Sequence, residues 1–124
     1  MEAKSVRLAM IMIAYLLLLL AGQLLWKAGL QGMPGVFSSG LGKAIVTLMG
    51  SVHILGGLAL YALATLIWLY LLSRFDLSYI YPFVSLSFVL AVIVSVYVLG
   101  EDVSWNRWAG VVVIGFGVYL VSIK

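Results

Sequence analysis

The fold class this sequence predicts is an all-α membrane protein, four transmembrane helices that pair into a dimeric bundle. Three observations carry that expectation. The chain of 124 residues is 65% hydrophobic and 9% charged, with a mean hydropathy of +1.24, whereas ordinary soluble domains carry about 25% charge. A spanning helix needs about 20 apolar residues, so four helices and short turns use nearly the whole chain as one domain, 1–124. The stretch 68–121 reads as a membrane hairpin: an apolar run ends at Ser73-Arg74, a second stops at Gly100-Glu101-Asp102, and a third follows Trp105-Asn106-Arg107-Trp108.

Composition also excludes several functions. There is no cysteine, so disulfides, thiol chemistry and Cys-based metal sites are ruled out. The single histidine, His53, cannot build a metal site alone, and no cofactor is expected. The net charge of +3 comes from basic residues at helix ends, so nucleic acid is a poor candidate partner. No catalytic pair or nucleophile with its base is evident, and the Gly-rich stretch 35–42 lacks the spacing of a phosphate loop. The chain does not read as an enzyme.

The first helix is expected over about 6–30. Lys4 and Arg7 precede its apolar run, as in a signal peptide, but the run is too long for one and no small-residue cleavage site follows. Gln23 and Lys27 lie four apart on one helical face. Both are costly in hydrocarbon unless they face protein or a wet cavity. Lys27 either snorkels to the headgroups or joins such a cavity, and Gln23, a turn deeper, is expected to face the bundle.

A loop over 31–42 is marked by Met33-Pro34-Gly35 and Ser38-Ser39. The second helix is expected over about 43–73, long enough to tilt or project beyond the bilayer. Gly56 and Gly57 would allow close helix contact, and His53 is either a buried hydrogen-bonding residue or part of a polar route. The third helix, about 79–99, carries Pro82 near its start, so a kink or opening is expected near Tyr81-Pro82. Ser85, Ser87 and Ser95 add hydroxyls, which within spans often bond their own backbone.

The fourth helix is expected over about 105–123, closed by Lys124. Trp105 and Trp108 suit the interfacial aromatic belt. Gly110 and Gly117 are seven apart on one face, so they serve either packing within the subunit or contact with a second one. Four spans put Lys4, Arg7, Arg74 and Lys124 on one side, and Lys27, Lys43 and Arg107 on the other. The positive-inside rule then favours both termini inside, though dual insertion stays open. Lys27, Glu101, Asp102 and Arg107 would collect at the outer rim, where opposite charges pair.

At this point the residues resemble a known family. Leu69-Tyr70-Leu71-Leu72-Ser73-Arg74, Leu77-Ser78-Tyr79, Tyr81-Pro82-Phe83 and Ser85-Leu86-Ser87-Phe88 resemble the EamA-type drug/metabolite transporter repeat, as do Leu99-Gly100-Glu101, Val103-Ser104 and Trp108-Ala109-Gly110. Ala21-Gly22-Gln23-Leu24-Leu25-Trp26-Lys27 is similar to the Ala-Gly-Gln-Leu-x-x-Lys pattern of four-helix members. Among those members the resemblance is to the subunits of the flippase for undecaprenyl-phosphate aminoarabinose.

The resemblance implies a four-helix subunit of the bacterial inner membrane. Its work would be moving a polyprenyl-phosphate-linked sugar, as a homodimer or with a paralogous subunit. Carried over, it implies Gln23 and Lys27 near phosphate or sugar; on the flippase reading Lys27, with Arg107 at the same rim, would attract the phosphate. Tyr81, Pro82 and Ser85 would shape the cavity, Glu101 and Asp102 would form the turn, and Gly110 and Gly117 would pair the subunits. One departure matters: the small drug exporters carry a glutamate in the first helix where Leu19 stands here, and Asp76, Glu101 and Asp102 all fall at turns. Two alternatives remain beside the flippase: a small-solute or drug exporter, and a non-transporting accessory subunit of a membrane glycosyltransferase.

Overall fold

The computed structural model describes residues 2–123. Lys124, expected to close the last helix, lies outside them. Every regular element is helical: α1 Glu2–Gln31, α2 Leu41–Met49, α3 Val52–Arg74, α4 Leu77–Val84, α5 Leu86–Tyr97 and α6 Trp105–Ser122. Three stretches are long and apolar enough to cross a membrane: Val6–Gln31, Val52–Arg74 and Leu77–Tyr97, the last formed by α4 and α5 together. α6 has 18 residues, about 27 Å of helix, and its first turn is the polar Trp105-Asn106-Arg107-Trp108.

α1 and α3 make the most extensive helix pair, with α5 leaning on α1 and α6 resting on α4 and α5. One buried cluster joins Met12 of α1, Leu71 of α3 and Ile80 of α4, ringed by Trp68, Tyr79 and Phe83. A second joins Tyr15, Leu16 and Ala64. Tyr15 stacks on Trp68 at 5.3 Å between ring centroids. Few side chains are buried, while large apolar ones such as Met10, Leu17, Leu66 and Val113 are exposed. Apolar surface on this scale is stable when lipid covers it.

The continuous helix expected over 43–73 is in fact two. α2 ends at Gly50, and α3 starts afresh with Ser51 as its N-cap, whose hydroxyl accepts from the Ile54 amide. Ser supplies the acceptor that a new helix start needs, so hydropathy runs on while the backbone breaks. At nine residues, α2 is about 14 Å long and cannot span. His53, expected either buried or in a polar route, lies exposed at the start of α3.

The expected kink near Tyr81-Pro82 comes at Ser85, between α4 and α5. Pro82 sits inside α4 and brings no N–H for the carbonyl four residues back. The backbone then tightens: the Ser85 amide donates to the Pro82 carbonyl at 3.0 Å, and the Phe88 amide to the Ser85 carbonyl at 3.1 Å. These are bonds of 3₁₀ spacing, a common way for a helix to bend.

Candidate functional site

α1 and α3 approach closely because each offers a glycine to the other's aromatic ring. A Cβ on Gly22 would fall 2.8 Å from the Tyr61 ring, and one on Gly57 would run into the Trp26 indole and lie 3.0 Å from the Gly22 carbonyl oxygen. The two rings then stack, with centroids 4.4 Å apart and planes 14° apart. The Trp26 indole N–H donates to the Ile54 carbonyl at 3.1 Å. A partly buried indole N–H is satisfied by such a partner.

This seat positions the polar face of α1. The Gln23 amide donates to the Tyr61 hydroxyl at 2.5 Å. One turn on, Lys27 Nζ lies 3.3 Å from Glu101 Oε1, with the two side chains 49% and 41% exposed. Glu101 reaches back because Gly100 adopts φ +68°, a left-handed conformation that glycine takes without strain. The Glu101 amide meanwhile donates to the Ser95 carbonyl at 3.0 Å. The expected pairing of opposite charges at this rim is therefore present, between the first helix and the turn that precedes the last.

Between α1 and α5 lies an open groove of about 180 Å³. Gln23 and Lys27 face Ser95 across it, and Leu20, Leu24, Ala91, Val94 and Leu99 supply its apolar walls. The Ser95 hydroxyl donates to the Val92 carbonyl at 2.8 Å, which leaves its oxygen free to accept. The groove thus offers an amide, an ammonium and a hydroxyl on an otherwise apolar surface, with a carboxylate at its mouth.

The other expected site residues are not brought here. Tyr81, Pro82 and Ser85 do not line the groove. Neighbouring Ile80 is fully buried in the core, so Tyr81 points away, 60% exposed, with its ring 5.9 Å from Trp68. Arg107 is exposed in the first turn of α6, where its amide donates to the Ser104 cap, and it too is absent from the lining. Asp102 is exposed beside Glu101. Gly110 and Gly117 lie exposed on α6, with no atom within 4 Å of where a Cβ would stand.

Trp26, Tyr61 and Ser95 were not singled out as site residues from the sequence. A signal for the first two exists, since Gly22 and Trp26 have the same four-residue spacing as Gly57 and Tyr61. Two antiparallel helices with that pattern can each seat the other's ring. Among the described residues, no group of three or more His, Asp or Glu could hold a metal ion.

The EamA-like transporter family matches residues 2–123. The chain belongs to that family. An EamA-like chain with three membrane-length apolar stretches is a multi-pass membrane protein. A protein of Pseudomonas syringae pv. syringae, named "Probable 4-amino-4-deoxy-L-arabinose-phosphoundecaprenol flippase subunit ArnE", is 34% identical over 83% of this chain and 89% of its own. Proteins of the same name from Yersinia pestis and Pectobacterium atrosepticum are 40% and 36% identical over about half of each chain. No solved structure matches.

Proposed function

We propose that this EamA-like protein is a flippase subunit. It would move a polyprenyl-phosphate-linked amino sugar across the bacterial inner membrane, for envelope glycan or lipopolysaccharide modification. The observation that carries the reading is the groove between α1 and α5, with Lys27 and Gln23 on one wall and Glu101 at its mouth. The relatives' printed names supply the substrate class.

Such a headgroup carries both signs of charge, a phosphate and a sugar ammonium. Lys27 and Glu101 offer the complementary signs 3.3 Å apart. A half-exposed ion pair contributes little to stability, so exchanging it for two pairs with the ligand costs little. Lys27 takes the phosphate, Glu101 the ammonium, and Gln23 and Ser95 meet the sugar hydroxyls. The polyprenyl tail stays in lipid, since the groove is open. Tyr81, Pro82, Ser85 and Arg107 belong to this reading only as residues for a second subunit to bring near.

The reading also takes α6 as the fourth span and its bare Gly110–Gly117 face as the place where an identical or paralogous subunit docks. Small residues let helices approach without side-chain obstruction. Both termini are taken as cytoplasmic. A proton-coupled drug exporter is disfavoured because the three membrane-length stretches contain no Asp or Glu. Leu19, at the position of the exporters' glutamate, packs instead against the Tyr15–Leu16–Ala64 cluster.

The test is Lys27→Ala in reconstituted vesicles carrying the lipid-linked amino sugar. A membrane-impermeant amine reagent reports the lipid that has crossed. Loss of flipping with assembly intact is the expected outcome, and unchanged flipping removes Lys27 from the path.

A further inference from the structure

A second cationic cleft lies at the opposite end of the α1–α3 pair, where the function above assigns it nothing. Lys4 and Arg7 of α1 and Arg74 of α3 line a cleft of about 210 Å³. The residues on α1 fall at i, i+3, i+4 and i+7, one helical face: Lys4 and Arg7 at the outside, then Leu8 and Ile11 going inward. From α3, Tyr70 and Arg74 fall four apart, and the Arg74 guanidinium carbon lies 5.7 Å from the Tyr70 ring centroid. That contact holds the guanidinium against the wall of the cleft.

Topology alone explains cations at this end of the helices, but not their convergence. Three positive charges from segments nearly seventy residues apart meet in one concavity. The Lys27–Glu101 ion pair lies at the other end. Three positive side chains around one cleft favour an anion there. The floor beneath them is apolar: Leu8, Ile11 and Phe75 all pack against the Met12–Leu71–Ile80 cluster. A free inorganic anion has no use for such a floor, whereas the first carbons of a lipid chain do.

We infer that this cleft binds the phosphate of an anionic membrane lipid, with the lipid chain leaving along Leu8 and Ile11. Lys4, Arg7 and Arg74 hold the phosphate oxygens, and the Arg forks suit them by geometry. From Arg7 to Lys27 along α1 is about 30 Å, the thickness of a hydrocarbon core. The two cationic sites therefore face opposite leaflets, and the lipid here is distinct from cargo in the groove. Basic pockets between spanning helices are a known way of recognising anionic headgroups.

The experiment is native mass spectrometry of the intact protein, released from detergent with phosphatidylglycerol, phosphatidylcholine or inorganic phosphate. Retention of phosphatidylglycerol over phosphatidylcholine is expected, with no displacement by millimolar phosphate. Removing a cation near a headgroup lowers affinity about fivefold, so Arg7→Gln with Arg74→Gln should lower retention roughly 25-fold. Lys43→Gln, an exposed cation on α2 that lines neither cleft, should leave it unchanged. Should the double variant fold poorly, Lys4→Gln alone, on an exposed first turn, still predicts about a fivefold loss. Equal retention by variant and wild type overturns the inference, as does displacement of the lipid by inorganic phosphate. Neither result bears on flipping, which is read separately.

Discussion

Gly57→Ala tests the contact that holds α1 against α3. The new methyl would lie 3.0 Å from the Gly22 carbonyl oxygen and collide with the Trp26 indole. The carbonyl is backbone and cannot yield without moving the helix. The indole can move only by giving up its bond to the Ile54 carbonyl and its stack on Tyr61. Overpacking of this kind costs about 1–3 kcal/mol. Alanine also gains about 1 kcal/mol of helix propensity over glycine, which would blur a single measurement. Gly115→Ala supplies the reference, because nothing lies within 4 Å of the Cβ built there and the propensity gain is shared. The difference between the two variants leaves the steric cost alone, about 1–3 kcal/mol against Gly57→Ala. Unfolding in mixed micelles by graded addition of a denaturing detergent measures it. Equal midpoints for the two variants would refute the claim that Gly57 is a point of backbone approach.

Tyr61→Phe removes the acceptor for the Gln23 amide but keeps the ring, so a loss of about 0.6 kcal/mol is expected with unchanged tryptophan fluorescence from the Trp26 stack. Glu101→Gln should leave stability within about 1 kcal/mol of wild type yet slow flipping of the amino-sugar lipid more than that of its neutral-sugar analogue. Comparing the two lipids in one vesicle assay checks this. Gly110→Leu with Gly117→Leu should weaken self-association in bilayers by tenfold or more, measured by energy transfer between labelled subunits, while the monomer unfolds at the same denaturant level.

The ends of α1 and α6 were readable within a few residues, because polar turn residues coincide there with the end of hydropathy. The Gly50-Ser51 break was not, since apolar residues continue on both sides and only the Ser51 hydroxyl marks a new cap. Pro82 announced a bend, but the tightening it causes surfaces at Ser85, where the next amide has to find a partner. In the site, Lys27 and Glu101 were legible as opposite charges bound for one rim. In the sequence Ser95 is one of several hydroxyls, and which of them faces Gln23 depends on how α5 leans on α1. Tyr81 lies away from the groove because its neighbour Ile80 takes the core position, a matter of rotation about the helix that hydropathy along Leu77–Val84 does not reveal.

The reciprocal seating of Trp26 and Tyr61 has a mechanical consequence. Two rods wedged by rings into each other's bare backbone resist sliding and twisting, so α1 and α3 form a plate against which the other helices rest. The membrane-length stretch Leu77–Tyr97 is interrupted at Ser85, where the chain is stitched by bonds of 3₁₀ spacing. A protein that must open alternately to two leaflets would flex there, with α5 swinging against the plate and widening or narrowing the slot beside Lys27.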